Sequence, residues 1–523
     1  MAVVLLVAAY LVYATFPNLV RWAVRKRLGG YRHRFNKVDT SRPLAPKETR
    51  TVAVIGGGLA GVSAAHALAE RGFQTTVFEK EPQLGGKLGA WTTTFSDGRT
   101  EPVSHGFHAF FRHYYNLNRF LNRLQIRQDF VPIRDYMICR PNQDHMKFGR
   151  MDPTPILNLL SLRKAGFYRF RDILFSSARN HMNIFMRYDE TKIFSELDGE
   201  SFAEYADRTY LPDRLRLAFN VFARAFFADE TKLSAAELMK SIHYYYFGHD
   251  HGLMYDYPPA DYNHSIWNPV SQRLEDLDVT LRLGEPVQRL EFARDGWNVE
   301  GHHFDYVVLA CDVAAAGPLL EQVGAPLDVS TLEPGQRYAS VRLWVDRDAR
   351  HTTPPFVITD RVEVLDAIAF YHRMEAEAAR YVREAGGAVI ELHCYAVPDD
   401  MPEADLLRKL KAELFDFFPE LEGMRVRHES GYVQRNFTAF HVGRAAGRPA
   451  TRSGLNRLFL AGDWVKLPFP AMLMEAAFSS GLMAANAIFE AEGVRQEPVD
   501  TVPPRGIFAR APVADGAWER RYA

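Results

Sequence analysis

Thr51-Val52-Ala53-Val54-Ile55-Gly56-Gly57-Gly58-Leu59-Ala60-Gly61 is the stretch that decides the fold. Its first five residues, apolar and rich in β-branched side chains, read as a strand, the glycines as a tight turn, and the residues after Gly58 as a helix start. Gly56, Gly58 and Gly61 let backbone approach a pyrophosphate, whose charge the free N–H groups of a helix start can meet. Val62, Ala65, Leu68 and Ala69 line one face of that helix, and Thr75 to Phe78 reads as a second, parallel strand. Glu79 comes next, eighteen positions after Gly61, where a carboxylate accepts from a ribose hydroxyl. A carboxylate there also argues against a 2′-phosphate on the same ribose. Strand, glycine turn, helix, strand and acid, in that order, predict a Rossmann-type α/β domain that binds a dinucleotide.

Outward from this unit, Leu84-Gly85-Gly86-Lys87-Leu88-Gly89 is a second glycine cluster, with one cation, suited to wrapping phosphate or a flat ring. Ser104-His105-Gly106-Phe107-His108-Ala109-Phe110-Phe111-Arg112-His113 comes next. Residues 151–270 read as a helical, aromatic-rich region, including the runs at 219–227 and 243–247. Val279 to Leu283, Val287 to Phe292 and Trp297 to Glu300 read as short antiparallel strands. Asp305 to Cys311 reads as a buried strand closing back onto the nucleotide domain. Ser340 to Val345 and Ala388 to Tyr395 predict a second sheet, and Leu406 to Phe418 an amphipathic helix. Arg457 to Trp464 is a strand ending in Gly-Asp, with a helix from about Ala471 to Glu492. The expected division is an anchor with basic flank at 1–30, a nucleotide domain in three pieces (50–150, 271–330, 441–495), a helical substrate region at 151–270, a substrate-domain sheet at 331–440, and an irregular tail at 496–523.

The 523 residues carry 63 Lys and Arg against 64 Asp and Glu, a balance that gives no reason to expect nucleic acid as a partner. The three cysteines, Cys139, Cys311 and Cys394, lie far apart and form no disulfide framework or metal clip. Ala2 to Phe16 is almost wholly apolar, and Arg21, Arg25, Lys26, Arg27, Arg32, Arg34 and Lys37 come after it. Charge after the apolar run, rather than before it, favours a retained anchor with the body of the protein on the cytoplasmic side of a membrane. The run is near the minimum for a span, roughly 17–25 residues, so an interfacial helix competes with a spanning one.

Gly56-x-Gly58-x-x-Gly61, Glu79, Gly85-Gly86-Lys87 and the late Gly462-Asp463 strand with its helix together resemble the FAD-dependent amine oxidase and phytoene desaturase superfamily, over roughly Thr51 to Glu492. Within it, Ala461 to Glu475 is similar to carotene desaturases, most of all to the desaturase/methyltransferase type that aromatises a β-ionone ring. The resemblance implies FAD, with Gly56, Gly58 and Gly61 at its pyrophosphate, Glu79 at the adenosine ribose with Lys80 beside it, Gly85, Gly86 and Lys87 around the phosphates, and Val287 at the adenine. It further implies Gly462 and Asp463 at the ribityl chain and the helix opening near Met474 aimed at the flavin pyrimidine. Lys87 stands where the family usually has arginine, which keeps the charge but loses the planar fork.

His105 and His108 are then expected beside the isoalloxazine, as a base or as shapers of the pocket. His113, His243, His249 and His251 invite a metal reading, but flavin accounts for the oxidation and no Glu-x-x-His set is visible, so no metal is expected. Asp229 and Glu230 read as solvated caps, with stabilisation of a carbocation as the alternative. The expected activity is desaturation of an apolar polyene, a carotenoid, with ring aromatisation as its extension and quinone or O2 left open as electron acceptor. A flavin isomerase or oxidase of another membrane lipid, a lipid-binding escort without chemistry, and an amine oxidase with Trp464 flanking the flavin stand beside it.

Overall fold

A computed structural model describes residues 2–141, 146–149, 151–166, 168, 169, 171 and 186–509, with side chains from Thr15 onward. The strand Thr51–Ile55 sits at the centre of a five-stranded sheet. Its neighbours are Gln74–Glu79, with Thr280–Leu283 at the edge beyond, and Tyr306–Leu309, with Leu458–Leu460 at the other edge; every pairing is parallel. Near-continuous Val, Ile and Leu suit strands covered on both faces. The helix Leu59–Ala69 crosses one face, and the helix Leu473–Ala491 packs on it so closely that a Cβ on Gly481 would stand 2.1 Å from the Ala60 carbonyl oxygen. Ser63 donates across this contact to Phe478 O at 2.7 Å. The early glycine unit and the late Gly-Asp strand therefore belong to one layer, although some 400 residues separate them.

Thr280–Leu283, expected as antiparallel, runs parallel to Gln74–Glu79, because it extends the nucleotide sheet rather than starting a new one. The antiparallel meander is Leu290–Ala293, Gly296–Val299 and His302–Phe304, which leaves Val287 in the loop before it. The second sheet has seven strands, in the order Val426–Gln434, Tyr338–Val345, Ala388–Cys394, Ala367–Phe370, Phe356–Thr359, Met137–Cys139 and Met146–Lys147. Glu403–Phe417 covers it with Leu406, Leu410 and Leu414 inward. The helices Phe202–Arg208, Asp213–Arg224 and Ala235–Ile242 form the region between, and the last continues as a buried π-helical turn, His243–Phe247.

One expectation about the chain ends needs correction. The N-terminal helix forms, Ala2–Arg27, but among the described residues no helix is long and apolar enough to cross a membrane, so the expected anchor is not supported as a span. The end of this helix is instead held by the protein itself, with Val24 and Leu28 buried against Tyr31 and Ile507. The tail carries little regular structure as far as residue 509, but it is fastened to the body. Asp500–Thr501 pairs with His33–Arg34, and the buried Asp500 carboxylate takes Arg32, Arg34 and Arg119 at 2.6, 2.6 and 2.7 Å. Part of the basic flank thus serves to fasten the two ends of the chain together. Residues 510–523 of the expected tail lie outside the described residues.

Candidate active site

The two glycine clusters meet face to face. Gly85 N donates to Gly57 O at 3.0 Å, and a Cβ on Gly86 would come within 3.2 Å of Gly58 Cα. Gly61 admits no side chain, since its Cβ would lie 1.8 Å from Gly56 O, and Gly56 adopts φ +113° against Ala310. Over Gly58 an added Cβ would sit in ordinary van der Waals contact with Gly86 Cα at 3.8 Å, so the backbone of the second cluster lies against the start of the helix Leu59–Ala69. Side-chain-free backbone from both clusters beside a helix start is the cradle a pyrophosphate needs.

Glu79 is buried, and its carboxylate first clamps the loop, accepting from Gly57 N at 2.6 Å and Glu81 N at 3.0 Å. Its remaining lone pairs are available to a ribose. Lys80, next in sequence, is exposed. The loop bearing the half-buried Val287 is drawn to this strand end by Gly284 N to Glu81 O and Glu285 N to Glu79 O, both 2.9 Å. On the other side of the cradle Gly462, at φ +138°, donates to Ser480 Oγ at 2.7 Å and presents Asp463. Asp463 binds Lys87 Nζ through both oxygens, at 3.0 and 3.2 Å, and accepts from Thr438 Oγ1 at 3.1 Å. Lys87 also lies 4.8 Å over the ring of Phe437. The helix Leu473–Ala491 begins with Leu473 at φ +48° and no side-chain cap, so the N–H groups around Met474 are unopposed at its positive end.

From Phe437 the site continues into the second sheet. Phe437 stacks on Phe227 and abuts Tyr338, whose hydroxyl lies 3.0 Å from His105 Nε2. Gln434 Oε1 is 3.1 Å from the same nitrogen, and His105 Nδ1 is buried with no hydrogen-bond partner among the described residues. His108 Nδ1 lies 3.1 Å from Gly106 O; a carbonyl only accepts, so Nδ1 carries the proton and Nε2 keeps a lone pair. Tyr262 fixes this turn, its hydroxyl accepting from His108 N and donating to Gly106 O, both 2.9 Å. Burial lowers both imidazoles, His108 to about 3, so both are neutral at physiological pH. Between them Phe107 stacks on Phe356 with ring centres 4.3 Å apart.

Behind His105 lies a buried charged brace. Arg342 binds Glu391 at 2.8 Å and Glu375 at 3.2 Å, covers the ring of Tyr371, and donates to Pro102 O, while Ser104 Oγ donates to Glu375. The strand that delivers His105 is thereby tied to the sheet floor.

Tyr338, Gln434, Phe437, Thr438 and Tyr262 were not anticipated. They reach the site from positions far from the glycine motifs and carry no local signature. Other candidates fall elsewhere. Trp464 is buried in the nucleotide domain, donating to Cys311 O at 3.0 Å. Asp229 holds Thr231 within its own turn and Glu230 pairs with Arg216, so neither is placed to stabilise a cation. Glu475 is a strut: its carboxylate accepts from Asn116 N and Leu117 N at the start of the helix Tyr115–Arg123, and burial raises it to about 8. His113 stacks on His249, and among the described residues no group of three His, Cys, Asp or Glu is placed to hold a metal.

The family described as flavin containing amine oxidoreductase matches residues 59–489. A carotenoid phi-ring synthase from Streptomyces griseus is 35% identical, over 88% of this chain and 91% of that one. A probable zeta-carotene desaturase from Synechococcus elongatus is 23% identical, over 85% and 99%. Putrescine oxidase shares the fold at TM-score 0.60 with 15% identity, covering 85% of this chain and 99% of that one. The cradle, its two anchors and the unopposed helix start fit FAD, and the chain belongs to the flavin containing amine oxidoreductase family.

Proposed function

We propose that this protein desaturates the end ring of a carotenoid and converts a β-ionone ring to an aromatic one with migration of a methyl group. The observation that carries this reading is a pair of neutral imidazoles set between the FAD cradle and a wall of stacked aromatic rings. Relatives named for phi-ring synthesis and zeta-carotene desaturation support the substrate class.

Bound FAD supplies a two-electron acceptor for hydride. The chain supplies the rest. The start of the helix Leu473–Ala491 offers positive potential where reduction adds negative charge. His108 Nε2 takes a proton from a carbon next to the one that lost hydride. Such C–H bonds beside a cation are strongly acidic, so a base held at about 3 suffices. Tyr262 and Gly106 hold its tautomer. Stacked Phe107 and Phe356 keep water from the cation. A methyl shift moves the cation without changing the electron count. A β-ionone ring loses two hydrides and two protons on becoming aromatic, so each ring takes two rounds, with quinone or O2 as the acceptor between them.

The substrate dissolves in lipid, and the N-terminal helix suits the same surface. Phe16, Leu19 and Trp22 are 49%, 61% and 60% exposed, with Lys26 over Trp22. An interfacial helix of this kind binds an anionic, cytoplasmic leaflet without crossing it. Expression in cells that accumulate β-ring carotenes tests the reaction: an aromatic product is expected. Unchanged pigment sinks the reading, and a geometric isomer of the substrate favours the isomerase. Sedimentation with anionic vesicles tests the surface, and the variant with Phe16, Leu19 and Trp22 changed to serine is expected to stay in solution.

A further inference from the structure

Next to the cofactor anchors, a narrow cavity is lined by Asp463, Met472 and Leu473 and also by three cations, Lys240, Arg448 and Lys466. Lys240 and Arg448 are buried, with 8% of the residue and 7% of the side chain exposed. They share one carboxylate: Lys240 Nζ is 2.8 Å from Glu237 Oε2, and the Arg448 guanidinium pairs with Glu237 Oε1. Arg448 Nε is buried with no partner among the described residues. Packing sets them against the helix start. Ser241, adjacent to Lys240, donates to Met472 Sδ at 3.8 Å, and Lys466 N donates to the carbonyl of Pro449, adjacent to Arg448, at 2.8 Å.

The other acids nearby are engaged. Glu190 takes the Tyr188 hydroxyl, and burial pushes it toward its neutral form. Asp198 accepts from Ser234 Oγ and Ala445 N, and Asp463 is paired with Lys87. Two buried cations and a half-buried third thus face the Glu237 carboxylate, with Asp198 as a second anion acting on Lys240 and Arg448. Burial lowers Lys240 to about 8 and Arg448 to about 10, so both remain charged at neutral pH. Unbalanced buried charge is costly, and its retention beside an uncapped helix start calls for a negative group in the working state.

We propose that Lys240 and Arg448, held by Glu237, form with the start of the helix Leu473–Ala491 a fixed positive field that stabilises the negative charge of reduced FAD and so sets the cofactor's reduction potential. The inference rests on FAD lying between Asp463 and Met474. A higher potential is what hydride removal from a hydrocarbon requires, since no heteroatom on the substrate assists it.

The test is the two-electron midpoint of the purified, FAD-loaded protein, read against reference dyes. Lys240→Met is expected to lower the reduced-to-oxidised ratio at a fixed dye poise about tenfold, a shift of about 30 mV downward. Glu237→Gln, which removes the negative member, is expected to shift it upward. Opposite signs are not the result of a merely structural role. Should Lys240→Met fail to fold, Lys466→Met, half-buried in the same cavity, is expected to shift the potential downward by a smaller amount. Variants that hold FAD and keep the parent's potential, or that all shift in one direction, overturn the inference. A parent protein that takes up no FAD overturns the cofactor placement itself, and the yellow colour of the preparation separates the two failures.

Discussion

The nucleotide half and the catalytic half of this protein are held together by different forces. Around the cradle, backbone approaches backbone: Gly61 on Gly56, Gly86 on Gly58, Gly481 on Ala60. In the catalytic half, buried charges and hydroxyls do the holding: Arg342 between Glu391 and Glu375, Tyr338 on His105, Tyr262 on His108. A backbone contact is broken by any side chain and is indifferent to pH. A charged brace tolerates shape changes better than the loss of one partner, which leaves the other charge buried and unmet. The cofactor end is therefore expected to fail by steric intrusion and the substrate end by electrostatic imbalance.

The largest effect should come from Gly61→Val. Its Cβ would lie 1.8 Å from Gly56 O, and more than about 4 kcal/mol should be lost, with no FAD recovered in the purified protein. Next is Arg342→Met, which strands two buried carboxylates and should cost about 3–5 kcal/mol by chemical denaturation. A cost under about 1 kcal/mol would break the contrast between the halves. His108→Gln should leave FAD content unchanged and lower product formation by about 10²–10⁴, because it removes a proton acceptor rather than a support.

The smallest of the four is a pH effect, carried in the nucleotide half by a buried side chain and not by the backbone contacts. His66, within the helix Leu59–Ala69, is lowered to about 4 by burial. Its folded pKa lies below its unfolded value of about 6.5, so its contribution to stability is present above about 6.5 and is lost as pH falls toward 4. His66→Leu should retain on the order of 1–3 kcal/mol more of its neutral-pH stability than the parent when both are unfolded near pH 4. Equal losses in parent and variant would move the acid sensitivity to the buried histidines of the catalytic half.

The parts legible from sequence share one property: their signal is local. Gly56 to Glu79 is a run whose turn, helix and acid are all dictated by near neighbours, and Gly462-Asp463 ends a strand too apolar to lie anywhere but in a sheet. The same logic misjudged Thr280–Leu283, because four residues of strand carry no information about whether a partner runs parallel or antiparallel. It gave no sign of how the tail is held, because the pairing of Asp500 with Arg32 and Arg34 spans more than 460 residues. Tyr338, Gln434 and Tyr262 were missed for the same reason, since each reaches the histidine segment from over 150 positions away.

Sequence alone determined that this chain makes a Rossmann-type unit, where its two glycine clusters lie, and that two histidines come after them. Glycine spacing and strand apolarity act over a few residues, where chain geometry leaves little choice. Only the tertiary structure decided the protonation and tautomer of those histidines, the pairing of Lys87 with Asp463, the packing of Trp464 on Cys311, and the cluster of cations behind the helix start. Burial, hydrogen-bond partners and net local charge are sums over distant segments, and they exist only once those segments have met.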